Sequence, residues 1–354
     1  MNMPTEKPSF GITTGSLATA ATVAAIKIIK EDKIPESVKI TTPSGELEIE
    51  INSGEKTSEI SGKALVIKKP YPDPDVTINL EIGALVEINS NPGIIIKGGK
   101  GVGKITKPGL QIPVGEPAIN PVPQKMIREN LETRLPLGKG AIVTIFIPEG
   151  EKIASKTMNP RLGILNGISI LGTTGIARPM SLESFKKANS CQIDVALGQG
   201  YKKLIFVPGN IGEKIALKSM DIEKDQIIHM SNYPGYMMQQ AVEKKVEKVI
   251  LFGHAGKLVK IAGGIFDTKN DVADGRREII TAHAALCGVP KKILTEIFNS
   301  KTTENMIDIL KEYGKEKDVF NNIALAIKKN IKERYHLDID VTIVRMDGTV
   351  LNQI

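Results

Sequence analysis

Residues 203–256 read KLIFVPGNIGEKIALKSMDIEKDQIIHMSNYPGYMMQQAVEKKVEKVILFGHAG. Three short apolar runs, Lys203 to Pro208, Gln226 to Met230 and Lys248 to Gly253, alternate with two amphipathic stretches, Ile211 to Ser219 and Pro234 to Lys245. Runs this short, with few polar positions and many branched side chains, suit strands covered on both faces; the stretches between them suit helices. Strand, crossover helix, strand implies parallel pairing and a right-handed connection. A strand at Ser169 to Gly172 and a helix at Leu182 to Leu197 extend the rhythm toward the N-terminus, with strands about 25 to 35 residues apart. The expectation is a Rossmann-like α/β three-layer sandwich over residues 150–255.

Upstream the pattern changes. LATAATVAAIKIIKE, Leu17 to Glu31, is an Ala-rich helix stopped before Pro35. VKITT, ELEIEI, ALVIKK, VTINLEI and GIIIK follow between residues 38 and 97, alternating or β-branched and separated by Gly, Pro, Asn and Asp. A Gly- and Pro-dense segment (98–123), a short helix (124–132) and the strand AIVTIFI (141–147) complete a β-rich α+β region. Downstream, Asp274 to Tyr335 is mostly helical, and the chain closes on a strand, DIDVTIVRM (338–346). A lone strand leaves its backbone groups unpaired, so it needs a sheet. Its place in the chain assigns it to the N-terminal sheet, making 1–149 and 256–354 two parts of one α+β domain with 150–255 inserted. The alternative is that it extends the parallel sheet.

The 354 residues favour two or three domains. With 41% hydrophobic and 25% charged residues the chain can bury a core, which excludes wholesale disorder. Aromatic residues make up 4% with no Trp, leaving aliphatic cores and little material for stacking single-stranded nucleic acid. No apolar run reaches the roughly 18 residues that cross a bilayer, and MNMPTEKPSF lacks the features of a secretion signal. Two cysteines, Cys191 and Cys287, form neither a disulfide framework nor a zinc set, and suit a reducing cytoplasm. Lys and Arg exceed Asp and Glu by 47 − 40 = 7, but the charges are interspersed. An acidic small molecule is the more compatible partner than nucleic acid or a membrane.

Four expected strand ends carry flexible, hydrogen-bonding residues: Gly172-Thr173-Thr174-Gly175, Pro208-Gly209-Asn210, Ser231 to Gly235, and Gly253 to Gly256. In an open parallel sheet, ligands sit outside the carboxyl ends of the strands, where glycines admit the backbone and helix N-termini offer free N–H groups. One crevice is expected there. Turns and caps, with Asn210 and Ser181 as N-caps, are the plainer explanation of each motif taken singly. At the N-terminus, Thr13, Thr14 and Ser16 lead into the Ala-rich helix, where a carboxylate could dock or the residues could simply cap. GGKGVGK (98–104) resembles a phosphate loop but has Ile105 in place of the magnesium-holding hydroxyl and Pro108-Gly109 where a helix is needed. No G-x-G-x-x-G follows the first strand, so the dinucleotide fingerprint is missing. Among the histidines, His254 suits a ligand-facing acid or base, His283 shares a helix face with Arg276, and His229 and His336 read as structural. No set of side chains has metal-ligand spacing.

Several stretches resemble one family, the cobalt-precorrin-5B carbon-1 methyltransferases of the anaerobic cobalamin pathway: FGITTGSLATAA (10–21), GVGKITKPGLQIPVGEPAINPVPQKMI (101–127), LGTTGIARPMS (171–181), SNYPGYM (231–237), GHAGKLVKIAGGIFDT (253–268) and ADGRREIITAHAAL (273–286). The resemblance implies an enzyme that moves a methyl group from S-adenosylmethionine to a cobalt-corrinoid ring, with no metal held by the protein itself. Leu17 stands where the family often has Cys, and Thr268-Lys269-Asn270 replaces its usual Thr-His-Ser. The expected cofactor contacts are Gly172, Thr173, Thr174, Gly175, Gly209, Asn210, Ser231 and Asn232. A corrinoid rich in acetate and propionate arms needs convergent cations and N–H donors, expected from Thr13, Thr14, Ser16, Lys104, Lys107, Arg178, Lys257 and Arg276. His254 is the expected catalytic group, and further copies of the chain are the only macromolecular partner in view. The competing readings are a Rossmann-like oxidoreductase and a noncatalytic corrinoid or anion carrier.

Overall fold

A computed structural model describes residues 10–179 and 182–353; Ser181, expected as an N-cap, lies outside the described residues. The chain divides into two units, Met1–Leu182 and Glu183–Ile354.

In the first unit, α1 (Thr14–Glu31) is buried on every side from Thr14 to Ile26. Such a helix must be apolar all round and slim, which is what its alanines supply. Its two buried threonines return their hydroxyls to the helix, Thr19 to Gly15 O at 2.9 Å and Thr22 to Ala18 O at 2.8 Å. A hairpin of β1 (Ser37–Thr42) and β2 (Gly45–Glu50) precedes a sheet of β3 (Ser53–Ser58), β4 (Ser61–Ile67), β5 (Glu81–Asn89), β6 (Ile94–Gly98) and β7 (Gly140–Phe146), ordered β3-β4-β5-β7-β6 among the described residues. Only β6 and β7 run parallel within that sheet. Glycines in its strands let α1 lie close: a Cβ on Gly62 would meet Ile29 Cγ1 at 2.9 Å and Ala25 O at 3.0 Å. The strand expected at 76–82 begins only at Glu81. Asp75 captures Thr77 through the N–H and hydroxyl, and Asn79 takes a left-handed φ of 65°, so that stretch turns. α2 (Pro121–Glu132) opens on a proline at its first position.

The second unit begins with α3 (Leu182–Gly198) and builds a parallel sheet from β8 (Lys203–Val207), β9 (Ile227–His229), β10 (Lys248–His254) and β11 (Ile339–Val344), ordered β9-β8-β10-β11. Between β8 and β9 lies α4 (Asn210–Ser219), and between β9 and β10 lies α5 (Pro234–Glu243). The first connection moves one way across the sheet and the second moves back past β8. Two right-handed crossovers in opposite directions need helices on opposite faces. Ala216 of α4 accordingly joins Ile205, Val207, Ile250 and Phe252 in one core, while Met237 and Ala241 of α5 join Leu204, Phe206, Val249 and Leu251 in the other. Alternate residues of one strand thus feed two cores, which explains runs with no polar alternation. The larger core also takes α6 (Ala255–Ala262), α7 (Arg276–Leu286), α8 (Lys291–Asn299), α9 (Thr303–Glu312) and α10 (Glu316–Tyr335).

Two expectations are corrected here. The terminal strand pairs along its length with β10, from Val249↔Ile339 to His254↔Val344, and does not return to the N-terminal sheet. The units are therefore consecutive in the chain, not one inserted in the other. The physical reason is that Ile339, Val341 and Ile343 line one face and enter the larger core, while on the other face Asp340 stays exposed and pairs with Lys248 and only Val344 enters the smaller core, a pattern that suits the edge beside β10. The strand expected at Ser169 to Gly172 is absent from the parallel sheet as well. Gly167–Ile168 pairs with Gly101–Val102 in the first unit, and Ile170 makes a single bridge to Ile119.

Candidate active site at the strand ends of the parallel sheet

In the second unit, β8 and β10 are neighbours whose chains leave in opposite directions, to β9 on one side and to β11 on the other. A crevice opens where connections diverge in this way, outside the carboxyl ends of the two strands. Gly209 lies there in an extended conformation with open space where its side chain would be. It caps α4 without a side chain, leaving the N–H groups of the first turn for a ligand or solvent, and Asn210 is the first helical residue, one position past its expected role as N-cap. Gly253 serves packing instead, because a Cβ would stand 2.7 Å from Pro208 Cδ. β9 ends on His229, followed by Met230, Ser231 in the left-handed region at φ 55°, and Asn232.

Two lysines converge on this edge. Lys257, in the first turn of α6, donates to Asn232 Oδ1 at 2.8 Å and to the Thr268 carbonyl at 3.1 Å. Lys260, fully buried, donates to the carbonyls of Thr268 at 3.2 Å and Ala273 at 2.8 Å and to Asn270 Oδ1 at 2.8 Å. All of these acceptors are neutral, so neither amine is closed by a carboxylate. Burial lowers the pKa of both, and Arg276 pushes each further down. Lys257 also sits where the helix dipole disfavours a cation. Asp267 acts on both lysines and Asp274 on Lys260; Asp274 is itself bound to Arg276 through Nε and, at 2.8 Å, Nη2, a pairing that holds it down at about 2. The edge thus gathers two lysines and an arginine with no carboxylate hydrogen-bonded to either amine among the described residues.

His254 ends β10 at this edge, yet both ring nitrogens are engaged. Nδ1 accepts the Gly256 N–H at 3.1 Å, capping α6, and Nε2 meets Glu304 Oε1 at 2.8 Å. Glu304 is held in turn by Arg345 Nε at 2.9 Å and by the Met346 N–H at 3.2 Å. Burial alone would raise the Glu304 pKa, but the bonds from His254, Arg345 and Met346 outweigh it and leave the carboxyl below its ordinary range. The ring is a helix cap steadied by a carboxylate, with both nitrogens engaged. His229 is bonded to Glu213 and His283 to Asn322, in keeping with structural roles.

The first unit holds the other expected residues, including Gly172, Thr173, Thr174 and Gly175, which end no strand of the parallel sheet. Thr13, Thr14 and Ser16 are buried, and their hydroxyls are taken up by backbone. Ser16 donates to Gly175 O at 2.8 Å, Thr13 to the same carbonyl at 3.2 Å, and Thr14 to Ser169 O at 3.2 Å. Backbone bonds Thr13 N to Gly175 O and Gly15 N to Leu171 O complete the closure. The start of α1 is thus closed by residues 169–175 in an internal clasp that engages Thr13, Thr14 and Ser16, the residues expected to meet a carboxylate. Lys104 and Arg178 are exposed; Lys107 is half-buried and packs over Gly163. The glycines of residues 98–104 serve close backbone approach: a Cβ on Gly101 would lie 1.9 Å from Ile147 O.

Residues 1–179 match the family model CbiD, and residues 267–353 match that of the CbiD C-terminal domain. A relative from Methanobrevibacter smithii named cobalt-precorrin-5B C(1)-methyltransferase is 54% identical over 97% of this chain and 96% of its own. The chain belongs to the CbiD family. A second relative of that name, from Methanocaldococcus jannaschii, is 47% identical over 98% of this chain and 96% of its own. A crystal structure of a cobalamin biosynthesis protein (cbiD) from Archaeoglobus fulgidus aligns with 75% of this chain and 84% of that one at 28% identity and a TM-score of 0.39. Within this CbiD chain, β8, β9 and β10 fall between the two family models, whereas the segment from Lys269 to Arg345 falls inside the second.

Sequence reasoning missed Lys260, Glu304 and Arg345. Lys260 stands among apolar residues of α6, at the spacing of its buried face, and that is the one signal that could have found it. Glu304 and Arg345 meet His254 from distant parts of the chain, so no local pattern marks them.

Proposed function

We propose that this protein transfers the methyl group of S-adenosylmethionine to carbon 1 of cobalt-precorrin-5B, giving cobalt-precorrin-6A in the anaerobic cobalamin pathway. The observation that carries the reading is full-length similarity, at 54% identity, to a relative bearing that activity in its name. We read the parallel sheet, with helices on both faces, as a Rossmann-like sandwich whose divergent strand ends hold the methyl donor. Gly209 and Asn210 offer open backbone and helix N–H groups, and Ser231 and Asn232 border the same edge.

When bound, S-adenosylmethionine supplies an electrophilic methyl on a sulfonium. The chain's part is to bind, align and exclude water, since little proton transfer is needed and alignment alone lowers such barriers by several kcal/mol, about 7 at the low end. Lys257 and Arg276 present positive charge suited to the acidic arms of the macrocycle. The cobalt belongs to the substrate, and among the described residues no cluster of His, Cys, Asp or Glu could hold a metal ion. No helix among the described residues is long and apolar enough to cross a membrane. A cytoplasmic setting fits the two free thiols, Cys191 and Cys287. An oxidoreductase reading lacks its dinucleotide fingerprint, since β8 runs into Pro208-Gly209-Asn210.

Anaerobic incubation with cobalt-precorrin-5B and methyl-labelled S-adenosylmethionine, followed by mass analysis, tests the reading. One labelled methyl group on the product is expected. Corrinoid binding with no methyl consumed would favour the carrier.

A further inference from the structure

In the second unit, a cleft of 230 Å³ is lined by Asp274, Arg276, Arg277, Lys301, Thr303 and Met306. Three cations face one carboxylate there, and Asp274 is already bonded to Arg276 through its Nε and Nη2, which leaves Nη1 of that guanidinium unengaged. Arg277 has Phe298 beneath its guanidinium at 5.9 Å, and among the described residues neither Arg277 nor Lys301 meets a carboxylate. Lys260 fixes the approach to the cleft by binding the carbonyls of Thr268 and Ala273, just before Asp274. Thr303 opens α9, and its side chain is 3% exposed with an Oγ1 that has no hydrogen-bond partner among the described residues. That hydroxyl is closed off from the cleft, so the charge offered to a ligand comes from Arg276, Arg277 and Lys301.

Resting on the proposed function, we infer that this cleft is a carboxylate subsite that grips one acetate or propionate arm of the tetrapyrrole, with Arg276, Arg277 and Lys301 supplying charge. Size favours an arm over the whole molecule, because sites that enclose a drug-sized ligand span about 300 to 1,000 Å³. Charge favours the polyanionic macrocycle over S-adenosylmethionine, whose sulfonium and ammonium would be repelled by three cations.

The probes are a cobalt corrin with free carboxylates, cobyrinic acid, and its heptamethyl ester, titrated by absorbance against the full chain. The wild type should prefer the free acid. Arg277→Gln combined with Lys301→Gln should weaken binding of the free acid about 10- to 100-fold, leaving the ester and S-adenosylmethionine within twofold. Thr303→Val, which removes a closed-off, unpartnered hydroxyl without changing shape, should leave binding of the free acid within twofold and hold or raise Tm. If the wild type prefers the free acid and the double variant binds it equally well, the subsite is overturned and the methyltransferase reading stands. Equal loss for acid and ester overturns the subsite too. Should the wild type bind neither corrin and transfer no methyl, both readings fall together.

Discussion

At the scale of single residues, the edge of the parallel sheet trades stability for charge. Lys257 stands in a helix first turn and Lys260 is fully buried, each without a carboxylate partner. His254 caps α6 and meets Glu304, and substitution separates that structural part from a part in the chemistry. His254→Ala removes an N-cap and should cost about 1 kcal/mol, read as a lower Tm. His254→Asn keeps an acceptor for the Gly256 N–H and should retain both Tm and most turnover; a fall in turnover beyond 100-fold at unchanged Tm would return the ring to the chemistry. Glu304 adds a pH dependence of known sign. Its folded pKa lies below the ordinary 4.5, so its stabilising contribution is complete above that value and is lost as pH falls through the folded pKa. In acid melts, Glu304→Gln should lose less stability than wild type on passing below pH 4.5; identical acid slopes would show that the carboxylate is unimportant to folding.

At the scale of elements, two readings of helix and strand separate by mechanism. The Ala-rich helix was legible because small residues throughout a long run have few uses besides a closely packed helix, and α1 is buried as that composition demands. What composition leaves open is the partner. The structure brings β4 against α1 through Gly62, and Gly62→Ala should destabilise the first unit by about 2 kcal/mol through overpacking against Ile29 and the Ala25 carbonyl. A melt unchanged within 0.5 kcal/mol, an ordinary surface-substitution effect, would mean that the helix can move aside. The hydroxyls before α1 show a limit of local reading. Thr13, Thr14 and Ser16 could serve a ligand or the chain itself with the same chemistry, and the carbonyls of 169–175 that claim them lie more than 150 residues away.

At the scale of the whole molecule, the last strand decides the architecture. Ile339, Val341, Ile343, Val344 and Leu351 are buried, and at about 2 kcal/mol each their loss would remove about 10 kcal/mol. That equals the entire stability of an ordinary domain, roughly 5 to 15 kcal/mol. Ending the chain before Asp338 should therefore unfold the second unit and leave the first intact, seen by hydrogen exchange as lost protection in β8 and β10 with α1 and β4 still protected. Loss of protection in β4 and β5 instead would restore the inserted arrangement. Periodicity, strand length and motif order by themselves settled the elements of 203–256, the buried first helix and the family, because those properties reside in neighbouring residues. Tertiary structure alone decided where β11 pairs, that Gly172 to Gly175 close over Thr13 and Ser16, and that His254 is occupied by Glu304. Each of these depends on which distant carbonyl, carboxylate or strand edge arrives first at an unpaired group, and an aliphatic strand or a hydroxyl carries no record of that choice in its local sequence.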